Sequence, residues 1–166
     1  MSAFEMLTVV LSELSVATTP MATITRSLHI AALPELVWAL LSDFGSISAW
    51  APNVDHSCLM SDQQSDAGTA RRIQTGRTTL VETVQTWEPN VTLGYRLEGL
   101  PPVVKSVTNT WTLEASGTGT NTTLTSEIDT GNKPPQKIAA KAVGRILGKA
   151  SDEMLSGLKA KAESQS

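Results

Sequence analysis

Residues 37–54 read VWALLSDFGSISAWAPNV, and the way this run breaks decides the fold. Val37, Leu40, Leu41 and Phe44 recur at helical spacing, and Pro34 just upstream suits a first helical turn, where its missing N–H is no loss. Gly45 ends that helix, SISAW forms a second short one, and Pro52 stops it. Two short helices in succession cannot enclose a core by themselves. They are expected to plug one end of a curved sheet, with Trp38 on the flank of the apolar stripe as scaffold and Trp50 placed to touch a bound molecule.

The sheet is written on both sides of this run. Upstream, ATITRSLHI at 22–30 alternates, with Ile24, Arg26, Leu28 and Ile30 on one face and Thr23, Thr25, Ser27 and His29 on the other. Downstream, segments rich in Val, Thr, Ile, Leu and Trp read as strands over Asn53–Met60, Thr69–Thr75, Thr78–Glu88, Thr92–Glu98, Lys105–Ala115 and Thr120–Asp129. Turn residues at Gly76-Arg77, Pro89-Asn90, Gly99-Leu100-Pro101-Pro102 and Gly117-Thr118-Gly119 separate them, and such short links imply antiparallel hairpins. Trp87, just before Glu88-Pro89, reads as a cap over the turn.

Pro134 and Pro135 open a last helix that runs to about Glu163. Ile138, Ala142, Ile146, Ala150, Met154 and Leu158 recur every fourth residue, with Val143 and Leu147 beside them, and that stripe is expected to face the rest of the protein. A helix of this length spans about 43 Å, against about 30 Å for seven strands side by side. It is too long to hide in a core and fits along a curved sheet. Gly144, Gly148 and Gly157 each weaken such a helix by about 1 kcal/mol relative to alanine, which points to close packing or a nearby ligand.

Bulk properties narrow the function classes. The 166 residues carry a net charge of −3 with no basic block, so nucleic acid is not the expected partner, and the chain suits one domain over 21–166. Residues 1–20 read as a helical or disordered extension, since their apolar run Leu7–Leu11 is flanked by Glu5 and Glu13, unlike a signal peptide. No segment approaches the roughly 20 apolar residues of a membrane span. Cys58 is the single cysteine, so no internal disulfide forms and a cytoplasmic location is the simplest reading. His29 is the only histidine besides His56, which leaves no metal-ligand set, and no cofactor is expected. A monomer or a homodimer both fit.

The order of strand, two short helices, six antiparallel strands and one long helix resembles the helix-grip fold of the START and Bet v 1 superfamily. This is an α+β fold: a curved antiparallel sheet of about seven strands with a long C-terminal helix over its concave face. More specifically, VWALLSDFGSISAWAPNV, GTARRIQTGRTTLVETVQTWEPNVTLGYRLEG and WTLEASGTGTNTTLTSEID look like the polyketide cyclase and dehydrase branch of SRPBCC proteins, a resemblance that covers residues 22 to about 160. It implies an apolar cavity between sheet and helix that takes a hydrophobic small molecule such as a lipid, polyketide or aromatic metabolite, with the protein as carrier or sensor. In the related abscisic-acid receptors, VDHSC and LVETV are similar to segments whose positions matching His56 and Glu82 line the pocket.

The residues themselves nominate a polar set for that cavity. Glu82 shares a face with Leu80 and Val84, and a carboxylate buried there needs a partner. Arg71, on the face of Ile73, and His56, on the face of Val54 and Cys58, are the candidate partners. A one-residue slip would turn each outward. Tyr95 and Trp111 fall on apolar strand faces and offer wall plus one hydrogen-bonding group, with Asn109 on the Trp111 face. The candidate ligand-binding set is therefore Trp50, His56, Arg71, Glu82, Tyr95, Asn109 and Trp111. The alternative is a cyclase- or dehydratase-type enzyme in which His56 and Glu82 act as acid and base while Arg71 polarises a carbonyl.

Overall fold

The computed structural model describes residues 21–131 and 134–166; the extension expected over 1–20 lies outside them. Seven antiparallel strands form one sheet: β1 (Met21–Ile30), β2 (His56–Leu59), β3 (Ala70–Thr75), β4 (Thr78–Glu88), β5 (Thr92–Glu98), β6 (Ser106–Ser116) and β7 (Gly119–Asp129). Their spatial order is β1-β7-β6-β5-β4-β3-β2, so β1 lies at one edge, the short helices cross to the other, and the chain returns strand by strand. The connection is made by α1 (Pro34–Ser42) and a 3-10 helix (Phe44–Ala49). A long helix α2 (Pro134–Glu163) closes the chain, and the whole is the α+β helix-grip architecture.

Gly45 does not terminate α1, which stops at Ser42; it lies inside the 3-10 helix. Its use is close approach, since a Cβ there would lie 2.8 Å from Leu59 Cγ on β2. The 3-10 helix is thereby pressed onto the sheet edge, where Ser57 Oγ donates to the Gly45 carbonyl at 2.7 Å. β2 is also shorter than expected, because residues 51–55 are turn and irregular chain before His56.

Strand β4 carries a bulge between Val84 and Thr86, where its pairing with β5 shifts by one residue. A bulge bends a strand and resets its alternation. Glu82 pairs with Leu97 and Val84 with Tyr95, on the inner face; beyond the bulge Trp87, which simple alternation would turn outward, pairs with Leu93 and also faces in. There it meets Trp38 edge to face at 5.3 Å. Trp87 is thus part of the inner packing rather than a cap over its turn.

The fourfold stripe expected on α2 does not stay on one face. Four residues advance an α-helix by about 400°, so each step drifts about 40°. Ile138 and Ile146 are 76% and 69% exposed, whereas Met154 and Leu158 are buried. The face toward the sheet runs instead through Val143, Leu147, Ser151, Met154, Leu158 and Ala162. Gly148 passes over Arg26 of β1, whose Nε reaches Asp152 at 3.1 Å, and Gly157 sits against the Trp50 carbonyl and Pro52. Among the described residues no helix is long and apolar enough to cross a membrane.

Candidate ligand-binding site

Register decides which polar groups reach the interior. Antiparallel partners point to the same side of a sheet, and Arg71 pairs with Glu82, which pairs with Leu97. Both charged side chains therefore enter the apolar face, at 2% and 3% exposure. They meet there as an ion pair, Arg71 Nε donating to Glu82 Oε2 at 2.6 Å. Arg71 Nη1 donates to the Phe44 carbonyl at 2.8 Å, and the guanidinium lies 3.8 Å from the Phe44 ring centroid and 5.0 Å from that of Tyr95. The pair ties the 3-10 helix to β3 and β4. Removing either partner would strand a charge in a medium that solvates it poorly.

Tyr95 continues this network across β5 and β6. Its hydroxyl accepts from Trp111 Nε1 at 3.2 Å, and its ring stands edge to face with Phe44. Burial pushes the Tyr95 phenol up to about 12, with the Glu82 charge adding to the rise. Asn109, opposite Tyr95, accepts from Ser126 Oγ at 2.7 Å. Trp50 packs edge to face against Trp111 at 6.1 Å, and its indole nitrogen is buried without a partner among the described residues.

Beside this network the inner face of the sheet and α2 separate, leaving a cavity of about 450 Å³. Ile73, Leu80 and Leu97 form its floor; Val143, Leu147 and Met154 its roof; Leu100, Pro101 and Val104 of the β5–β6 loop its side. Glu82, Asn109 and Asn53 are among the few polar groups in the wall, and Lys149 and Glu153 stand on the helix side. The volume suits a drug-sized organic molecule, and an apolar wall with a few placed polar groups is what such sites present.

Of the seven residues nominated from sequence, Glu82 and Asn109 face this cavity. Arg71, Tyr95, Trp111 and Trp50 do not line it: Arg71 holds Glu82, and the three aromatic side chains pack with one another and with Phe44 in the core. His56 is exposed on the outer face, paired with Gln74 and beside Arg72. The alternation extrapolated from Val54 fails because the chain between them is turn, so Ser57 and Leu59, not His56 and Cys58, point inward. The proposed trio of His56, Glu82 and Arg71 is consequently not assembled in one place. Two further lining elements lie outside the seven: Asn53, in a turn where alternation predicts strand, and the β5–β6 loop, whose signal in the sequence is Leu100, an apolar residue in a turn between Gly99 and Pro101. The described residues hold no group of three or more His, Cys, Asp or Glu side chains arranged for a metal ion.

Residues 21–163 match the family described as polyketide cyclase / dehydrase and lipid transport. The chain belongs to this family. Its fold is similar to the ZhuI aromatase/cyclase from Streptomyces sp. R1128, at 18% identity and TM-score 0.74 over 87% of this chain and 94% of that one. The di-domain ARO/CYC StfQ from the steffimycin biosynthetic pathway matches at 16% identity and TM-score 0.74, over 87% of this chain and 51% of its own length. Ara h 8.0201 matches at 11% identity and TM-score 0.70, over 87% and 99%. These likenesses show the fold; taken with the family match, they support the SRPBCC superfamily. No curated protein sequence matches the chain significantly.

Proposed function

We propose that this protein binds a hydrophobic small molecule, a lipid, polyketide or aromatic metabolite, in the cavity between sheet and α2, as a carrier or sensor. One observation carries the reading: a space of about 450 Å³ with mainly apolar walls, beside a core that is otherwise filled. A space of this size leaves apolar wall uncovered that a hydrophobic occupant would cover, and pockets of this kind are where small molecules bind. The family description, which includes lipid transport, supports the same reading. A cyclase- or dehydratase-type role in the same cavity is the alternative, supported by the family and by the aromatase/cyclase likeness; it would need acid-base groups other than His56.

Native mass spectrometry of protein purified from its own host tests the binding reading. The expected result is a retained small molecule that Ala150→Trp, which plugs the cavity from the helix side, displaces without unfolding the chain. Protein that carries only its own mass and takes up no apolar probe would remove the proposal.

A further inference from the structure

The cavity wall's buried charge is an acceptor already matched from behind, and the wall's uncharged polar side chains, Asn53, Asn109, Thr75 and Thr78, can accept or donate. Glu82 Oε2 is held by Arg71, and no other hydrogen bond reaches that carboxylate among the described residues. Asn53 Oδ1, in the same wall, is buried with no partner among them. Asn109 already has its oxygen engaged by Ser126. Arg71 does not line the cavity: it is 2% exposed, its Nε is turned to Glu82 and its Nη1 to the Phe44 carbonyl. Lys149, the one cation in the wall among the described residues, has a side chain 81% exposed to solvent and lies 3.9 Å from Glu153.

An ionised carboxylate accepts and has no proton to give. A ligand group placed against Glu82 must therefore donate, and a second carboxylate there would meet like charge, with the wall's one cation among the described residues, Lys149, held out in solvent. We infer that the site selects a neutral apolar molecule whose inner end bears a hydroxyl, alcoholic or phenolic, and rejects carboxylates of the same shape. This rests on the ligand-binding reading above and narrows it to a chemical class.

Isothermal titration calorimetry of the full chain with 2-naphthol, 2-methoxynaphthalene and 2-naphthoate changes the polar group on one ring system. The hydroxyl compound should bind about tenfold tighter than its methyl ether, which leaves the acceptor unpaired, and the carboxylate should bind most weakly. In Glu82→Gln, which removes the wall's charge and leaves Arg71 uncompensated, the preference for naphthol over naphthoate should fall by about tenfold or more. Should that variant not fold, Asn53→Leu should erase part of the naphthol advantage while leaving the ether unchanged. Naphthoate binding as well as naphthol, or the ether equalling it, would overturn the inference and leave the ligand-binding reading intact. If none of the three binds, the molecule copurified from the host decides: a neutral hydroxyl compound supports the inference and an acid overturns it. Absence of any copurified molecule removes both readings together.

Discussion

The two ends of the space between sheet and α2 are built differently. At the closed end, Trp111, Leu124 and Leu158 are buried to 1% exposure or less, the short helices press against them, and Gly157 lets α2 come down onto the Trp50–Pro52 backbone. At the open end, the same helix rides over a cavity floored by Ile73, Leu80 and Leu97, and it shows Ile138 and Ile146 to solvent. One sheet and one helix thus supply both a packed core and a binding space. The difference lies in what fills the gap: at the closed end it is the protein's own indole rings.

Truncation should separate the ends most sharply. Trp111→Ala at the closed end is expected to cost about 3–5 kcal/mol, because its ring and its bond to Tyr95 are both lost. Leu80→Ala, in a partly open wall, should cost less than about 2 kcal/mol, since part of that side chain already faces empty space. Urea denaturation compares the two. Equal losses would mean that the open end is as tightly packed as the closed one.

The Arg71–Glu82 pair stands at the seam, with Arg71 against Phe44 and Glu82 in the cavity wall. Arg71→Met should destabilise by about 3–5 kcal/mol, whereas Arg71→Met combined with Glu82→Leu should recover much of that loss. A double variant as unstable as the single would show that the cost lies in Arg71's packing and its hold on Phe44 rather than in the stranded charge. Ligand titration of the same double variant assigns the pair its role. If the double variant is stable yet binds no ligand, the pair is kept for the site.

Tyr95 reports on this seam through pH. Its phenol is pushed from 10.0 up to about 12 in the fold. Between these values the unfolded chain loses the proton that the folded chain retains, so stability falls as pH rises through that window. The loss should approach about 2–3 kcal/mol. Because the chain has one tyrosine, phenolate absorbance follows this group alone. In Tyr95→Phe the decline across that window should shrink; an unchanged decline would assign it to other groups.

The glycines of α2 carry the same contrast at smaller amplitude. A Cβ at Gly157 would collide with the Trp50 carbonyl, so Gly157→Ala should cost about 1–3 kcal/mol as the helix lifts away. At Gly144 the nearest atom is Ile24 Cδ1 at 3.5 Å, ordinary contact, and alanine should stabilise by about 0.5–1 kcal/mol through helix propensity. Thermal melts of the two variants should move in opposite directions. A stabilised Gly157→Ala would mean that the helix can shift at the closed end without penalty.

Much of this was legible in the sequence, and the exceptions share a cause. The strand segments, the hairpins and the span of α2 follow from turn residues and from local periodicity, which the chain writes plainly; the pairing of β1 with β7 does not. The inward aim of Glu82 and Arg71 follows from alternation inside unbroken strands. His56 and Ile146 depart from expectation where the period runs across a break or is held too rigid, at a turn before β2 and in a fourfold repeat on a helix of 3.6 residues per turn; Trp87 departs because a bulge in β4 that no turn residue marks brings it inward. The cavity has no signal in the periodicity or spacing, and only the family resemblance implies it. It is a gap between elements whose faces are individually apolar, and only their separation in space makes it a site.

Ile146 yields the smallest expected effect. It touches the cavity with one edge yet is 69% exposed, so Ile146→Gln should change stability by no more than about 0.5 kcal/mol. Its effect on ligand affinity should also be modest, because a rim residue excludes solvent from one side only. At the closed end an equal change of polarity, as in Leu158→Gln, would bury an amide with nothing arranged to receive it and cost several times more. Denaturation midpoints of the two variants, measured side by side, set the difference. If Ile146→Gln costs more than about 1 kcal/mol, the rim carries packing weight and the open end is open only in part.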